Sequence, residues 1–245
     1  MQLSTRRRKL WANLVLLTLS ITLARAVENI PALIVEATSS DSLAAKAGLK
    51  PADRIISYDG KPLPSPAAFD ALQQNTFGKQ EVVLQIRRRT ESLNVTVPLG
   101  PLGIETRPEL PPAAVKLYKE GKLTLAAKSA ADPWLYNRLG ETLETQRQWK
   151  QATEAHLSAW NLLQNGPDPA AKSRTLMALG RCTRNQNDFA AAAKWYEQAR
   201  QADLAAGNEM WAAADLQGLG DVAYDHSDFP VAQDNFSRAF AIREG

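Results

Sequence analysis

The chain holds one cysteine and two histidines in 245 residues. A single thiol excludes any internal disulfide, and there is no second cysteine for a metal cluster. His156 and His226 fall in different segments. No H-E-x-x-H, G-x-S-x-G or phosphate-cradling glycine loop accompanies them, so metal-dependent, serine-dependent and nucleotide hydrolysis lack their residues. Asp225-His226-Ser227 spells three triad residue types in a row, but triads are assembled by folding and not by adjacency, and the run reads as a loop. Cys182 reads as a buried, inert thiol in a helix, with intermolecular pairing as the alternative. The expectation is a protein without catalytic residues, cofactor or metal.

A basic surface is also missing. The formal charge is +3, but five of the 29 basic residues (Arg6, Arg7, Arg8, Lys9, Arg25) precede residue 27, and no acid does. The remaining chain carries 24 basic and 26 acidic residues, a net −2, which removes the electrostatic case for nucleic acid. Arg87-Arg88-Arg89 is the one later basic run and reads as a solvated hairpin tip. With 44% apolar residues the chain has enough to build a core.

One long apolar run occurs, from Leu10 to Leu23. It follows Arg6-Arg7-Arg8-Lys9 and precedes Ala24-Arg25-Ala26, the layout of an export signal with an A-x-A cleavage site. The run is short of the ~20 residues that span a bilayer. The expected location is periplasmic or secreted. The alternative is an uncleaved segment anchoring the chain in the inner membrane.

What the sequence does have is a period of 40 residues. Leu-Gly recurs at 139–140, 179–180 and 219–220. Trp149, Phe189 and Phe229 share one column; Ala152, Ala192 and Ala232 another. His156, Tyr196 and Phe236 form a ring column, and Ala159, Ala199 and Ala239 a fourth. Such a period marks stacked supersecondary units that bury one another's apolar faces. Each unit reads as two helices, with Gly allowing a close approach and with Asp188 and Asp228 capping the second helix. The pattern resembles the tetratricopeptide repeat (TPR), W-x-x-L-G-x-x-Y followed by A, F and A. Tyr136, Leu176 and Leu216 replace its Trp, His156 replaces a Phe or Tyr, and the usual length is 34. The extra length is expected in longer second helices or in loops such as 165–169. A weaker helix pair, 113–132, reads as a cap. The chain stops just after the third unit with no polar capping helix, which reads as a fragment of a longer protein or a last face covered by a partner.

Residues 30–107 have another texture. Short β-type runs at 32–37, 53–58, 81–87 and 93–97 alternate with helical stretches at 42–47 and 65–74, and Asp59-Gly60 marks a tight turn. The expectation is a small β-barrel with helices at its edges. Ile34-Val35-Glu36-Ala37, then Ser42 to Ile55 (S-L-A-A-K-A-G-L-K-P-A-D-R-I), then Asp59-Gly60-Lys61-Pro62 resembles the bacterial PDZ domain. Leu43 stands in place of a Pro, and Ala52 in place of a Gly. Gly100-Pro101-Leu102-Gly103-Ile104-Glu105 after the last strand is similar to the circularly permuted arrangement of site-2 protease PDZ domains, with Pro101 replacing the first Gly of the carboxylate loop.

This resemblance implies β-augmentation by a peptide beside Ile104, Glu105 and Thr106. The peptide carboxylate would rest on the N–H groups of Leu102, Gly103 and Ile104. Ser65, Phe69 and Leu72, at i, i+4 and i+7, would form the opposite wall. The whole reads as an α+β multidomain chain: a signal (1–26), a PDZ β-barrel (27–107), a stiff Pro-rich linker (108–112), a cap, and an all-α TPR solenoid of units 133–172, 173–212 and 213–245. The implied function is an exported, non-enzymatic adaptor for protein C-termini or extended peptides. An envelope protease or membrane protein is an implied partner. The order also resembles the front of large bacterial proteins in which a protease-like CHAT domain follows, so the alternative is the recognition region of a larger protease-type protein.

Overall fold

The structure, a computed structural model, describes residues 32–74 and 80–244, and the export-signal reading lies outside them. The first half contains β1 (Leu33–Thr38), α1 (Leu43–Lys46), β2 (Arg54–Tyr58), β3 (Lys61–Pro62), α2 (Pro66–Gln74), β4 (Glu81–Arg88), β5 (Glu91–Pro98) and β6 (Ile104–Pro108). Alternation along β4 turns Val82, Leu84 and Ile86 inward. They meet Leu33, Val35, Ile55, Phe69 and Leu102 in one core. Asp59 and Gly60 both take positive φ, 52° and 76°, and make the two-residue turn between β2 and β3.

The sheet runs β5-β4-β2-β1-β6, with β3 on β2. Its two end strands do not pair with each other, so the expected barrel is corrected to an open sheet. Among the described residues β6 pairs only with β1, antiparallel, from Leu33 opposite Pro108 to Thr38 opposite Ile104. The register slips between Val35 and Ala37. The extra residue there, Glu36, accepts from Arg107 Nε at 2.8 Å and from the Tyr118 hydroxyl at 3.1 Å, which ties the sheet to the helices.

The arginine run is also corrected. The β4–β5 hairpin turns at Arg89, but Arg88 is not a free tip residue. Its guanidinium donates to both carboxylate oxygens of Asp53, at 2.8 and 2.7 Å, and to the Gly48 carbonyl. Asp53 is 2% exposed; burial alone would raise its carboxyl, and the Arg88 hydrogen bonds bring it below the usual range.

Residues 109–111 are packed down rather than spanning free space. Leu110 is buried with Ala114, Ala126, Ala127 and Leu135, and Glu109 pairs with Arg54 of β2. Beyond come α3 (Pro112–Lys119), α4 (Leu123–Ala130), α5 (Pro133–Thr145), α6 (Trp149–Leu163), α7 (Pro169–Asn185), α8 (Phe189–Ala205), α9 (Glu209–Asp225) and α10 (Phe229–Glu244). The forty-residue period resolves into two 17-residue helices, α7 and α8, with three-residue connections. In this unit the extra length lies in both helices; in the first, α5 and α6 have 13 and 15 residues and a five-residue connection, 164–168, leads to α7. The turns repeat as faithfully as the side chains: Arg147, Asn187 and Ser227, forty apart, all take positive φ near 60°. Asp188 and Asp228 accept from the N–H groups of Ala191 and Val231.

The glycine of each Leu-Gly faces the ring sixteen residues on. A Cβ at Gly140, Gly180 or Gly220 would lie 2.4, 2.9 and 2.5 Å from His156, Tyr196 and Phe236. Gly218 contacts the other side of Tyr196, where a Cβ would come within 2.4 Å. Among the described residues no helix is long and apolar enough to cross a membrane.

Candidate functional site

Among the described residues the sheet leaves β6 with one unpaired edge, and α2 lies beside it. Between them runs a cavity of about 540 Å³. Ser65 and Asp70 of the α2 segment line one wall, and Ile104, Glu105 and Thr106 of β6 another. The remaining walls belong to the helices: Trp134 and Arg138 of α5, Leu162 of α6 and Arg174 of α7. Arg138 stacks over the Trp134 ring at 5.9 Å, and Tyr118 meets that ring edge-on.

A second cavity, about 650 Å³, lies beyond the far end of α2. Gly100 and Pro101 border it, together with Gln73, Arg181, Met210 and Trp211. Both spaces border Asp70, Asn137, Glu141 and Arg174, where helix α2 is docked on the repeats. Ala67 and Ala71 pack with Leu163, Ala170 and Ala171, with Trp211 against the same cluster. Asp70 pairs with Arg174 at 2.6 Å, and Trp211 Nε1 donates to Gln74 Oε1.

The residues expected to form the groove divide. Ser65 caps α2, accepting from the Ala68 N–H at 3.1 Å, and lines the cavity. Ile104 and Glu105 line it too. Phe69 is 1% exposed and edge-on to Tyr58 at 5.7 Å; it belongs to the core rather than the groove wall. Leu72 packs partly buried against that core. The α2 turn that would aim both at a peptide aims them at the sheet, because the opposite face of α2 is taken by α7.

In the loop, the Leu102 side chain is buried, while its N–H reaches Gln73 Oε1 at 3.4 Å. Gly103 has φ +67° and lies against Ser42, where a Cβ would come within 2.6 Å. Its carbonyl accepts from the Ser39 N–H, and the Leu102 carbonyl from the Ala44 N–H, so α1 braces the loop. Pro101 has no N–H to add.

Sequence reasoning missed three groups. The helix-side walls of the cavity carry no motif of their own. Asp203 and Asp215 are both fully buried. Ser173 donates to Asp203, and the Asp215 carboxyl is hydrogen-bonded to that of Asp203. Burial first, then the neighbouring Asp203, push Asp215 up to about 9. The third group is Glu144, His156 and Cys182, which offer one donor atom each within 4.8 Å of one another. The signal was in the register: His156 and Cys182 each break a column, of rings in one case and of Thr142 and Val222 in the other. His226, by contrast, sits at a turn beside Phe189, and Asp225 is held by Arg184 at 2.6 Å, so no triad forms there.

Comparison with known proteins places these observations. A zinc metalloprotease by name, from Rhizobium meliloti (strain 1021), is 31% identical over 98 residues, 40% of this chain. The chain spans 24% of that relative's length. Among solved structures, the TPR domain of Arabidopsis FLU is similar at 15% identity, covering 46% of this chain and 94% of that one, with a TM-score of 0.44. Pseudomonas aeruginosa pilF is similar at 18% identity over 53% of this chain and 57% of its own, with a TM-score of 0.41. Residues 34–88 match the family of the PDZ domain. That segment, from within β1 to the end of β4, is a PDZ domain.

Proposed function

We propose that the chain is a protein-interaction adaptor that takes an extended peptide on the unpaired edge of β6. The observation that carries the reading is that edge itself: a strand hydrogen-bonded, among the described residues, on one side only, beside a cavity, with a glycine-bearing loop at its start. A peptide pairing with Ile104–Thr106 would draw affinity from main-chain hydrogen bonds and specificity from the pockets for alternate side chains. The N–H groups of Leu102, Gly103 and Ile104 would receive its terminal carboxylate. Ser65 and the helix-side residues Trp134 and Arg138 would contact its side chains, with Phe69 and Leu72 supporting the wall from behind. The N-terminal segment, by its sequence, would export the chain to the periplasm or beyond.

Fluorescence anisotropy on the whole chain tests this, with a library of peptides offered as free acids and as amides. Free acids should bind more tightly than their amidated twins, and Ile104→Asp should abolish the difference while circular dichroism stays unchanged. Equal binding of acid and amide would remove the carboxylate role and leave strand pairing. Binding unaffected by Ile104→Asp would overturn the site.

A second reading is that the chain is the recognition region of a larger protease-type protein. The 98-residue match to a protein named as a zinc metalloprotease favours it. The same β6 site would then select substrates or regulate access to a catalytic domain elsewhere.

A further inference from the structure

The hydrogen bonds around His156 can be followed from end to end. The Thr175 hydroxyl donates to the Ala171 carbonyl at 2.8 Å, so its oxygen accepts from Asn137 Nδ2, also at 2.8 Å. That fixes the Asn137 amide, and its Oδ1 faces His156 Nδ1 at 2.9 Å. Nδ1 must therefore carry a proton, which leaves the lone pair of the neutral ring on Nε2. Nε2 looks straight at another acceptor, Glu144 Oε1, at 2.9 Å. A lone pair aimed at a carboxylate in a buried place requires a cation between or upon them. The third neighbour is Cys182, 0% exposed, whose sulfur lies within 4.8 Å of both other donor atoms.

We infer that Glu144, His156 and Cys182 form a binding site for a zinc-class divalent cation, held between the first and second repeats. Imidazole nitrogen, thiolate sulfur and carboxylate oxygen are the donor types zinc takes, whereas calcium and magnesium take oxygen. The ligands come from α5, α6 and α7, so the ion would staple three successive helices. One carboxylate and one thiolate offset the divalent charge, with the imidazole neutral, and Arg181, paired with Glu144, leaves the cluster one positive charge beside the 650 Å³ cavity. The surroundings orient the ligands as metal sites do. Asn137 fixes the His156 tautomer, and Arg181 holds Glu144 with Nε on Oε2 at 2.6 Å and Nη2 on Oε1 at 3.0 Å. Burial pushes the free Cys182 thiol up to about 12, so binding must expel its proton to solvent as the metal–sulfur bond forms. His156 and Arg181 border the 650 Å³ cavity, which gives the ion a route in.

The competing occupant is a proton, making a buried imidazolium–carboxylate pair. The test separates them. The untagged whole chain, stripped with chelator, is titrated with Co²⁺ and then Zn²⁺. One equivalent of Co²⁺ should give thiolate-to-cobalt charge-transfer absorption, and Zn²⁺ should abolish it. Zn²⁺ should also raise the melting temperature by roughly 5 °C or more. Both effects should vanish in Cys182→Ser and in His156→Phe, the latter restoring the ring that this column carries at Phe236. A circular-dichroism melt shows that each variant folds. No charge-transfer band, or an equal Zn²⁺ shift in wild type and His156→Phe, would overturn the metal and leave the proton as the occupant. A band that survives Cys182→Ser would place the metal elsewhere and equally overturn the site.

Discussion

Tyr196 shows how little slack a single position has. Its ring is clasped between Gly180 on α7 and Gly218 on α9, with no room to move away from either. Alanine in a helix gains about 1 kcal/mol over glycine by propensity. Gly218→Ala should nonetheless destabilise the chain by about 1–3 kcal/mol, because its Cβ lands 2.4 Å from the ring and overpacking outweighs propensity. Urea denaturation measures this, and a gain in stability would refute it. Asp215 gives a second residue-scale expectation. Its carboxyl sits near 9 when folded and near the ordinary 3.8 when unfolded, so the unfolded chain holds fewer protons between those values. Stability from this group is then full below about pH 4 and falls as pH rises towards 9. Asp215→Asn should flatten that slope and stabilise the chain at pH 8 by about 1–3 kcal/mol, while changing little at pH 4. Denaturation at the two pH values decides it; a variant weaker at pH 8 would mean that the ionised pair is compensated. Neither feature had an outward sign in composition. Gly180 had one in spacing, because its separation from the ring sixteen residues on repeats, whereas Gly218 did not, since Arg138 and Ala178 occupy its column. The acids did not, because a buried Asp in a helix reads from sequence as a solvated one.

Among the elements, α2 does two jobs at once. One face closes the sheet core through Phe69 and Leu72, and the other packs Ala67 and Ala71 on α7. The ion pair across this contact is about half exposed on each side, so it adds little. Arg174→Ala should change stability by less than about 0.5 kcal/mol. Ala71→Asp, which puts a charge against Ala170 and Ala171, should split a single calorimetric transition into two as the halves unfold separately. One transition in the variant would mean that the contact at Leu110 and Glu109 suffices to couple them. The existence of the elements was legible from alternation, capping residues and the forty-residue register. Sheet closure was not, because which strands lie at the ends is a matter of long-range pairing. That Phe69 lies in the core has a related reason. Helical spacing identifies a face but does not say which neighbour that face meets, and here the repeats claimed the other side.

For the molecule as a whole, the sequence divides cleanly at Pro108–Pro112, and the candidate site does not. Strand β6 and α2 come from before the prolines, and Trp134, Arg138, Leu162 and Arg174 from after them. A peptide seated on β6 should therefore also protect the helices, and hydrogen exchange should slow in α5 and α7 on binding. Exchange slowed only in β6 and α2 would show that the helices are bystanders. The division has a further consequence for how such a protein can be inherited. A domain that carries its whole groove can be copied into another chain and keep its ligand. This one would arrive with two walls of four, and with the apolar stripe of α2 bare. A preference for a partner read by this site would belong to the pairing of two modules, and a change in one half would call for a matching change in the other.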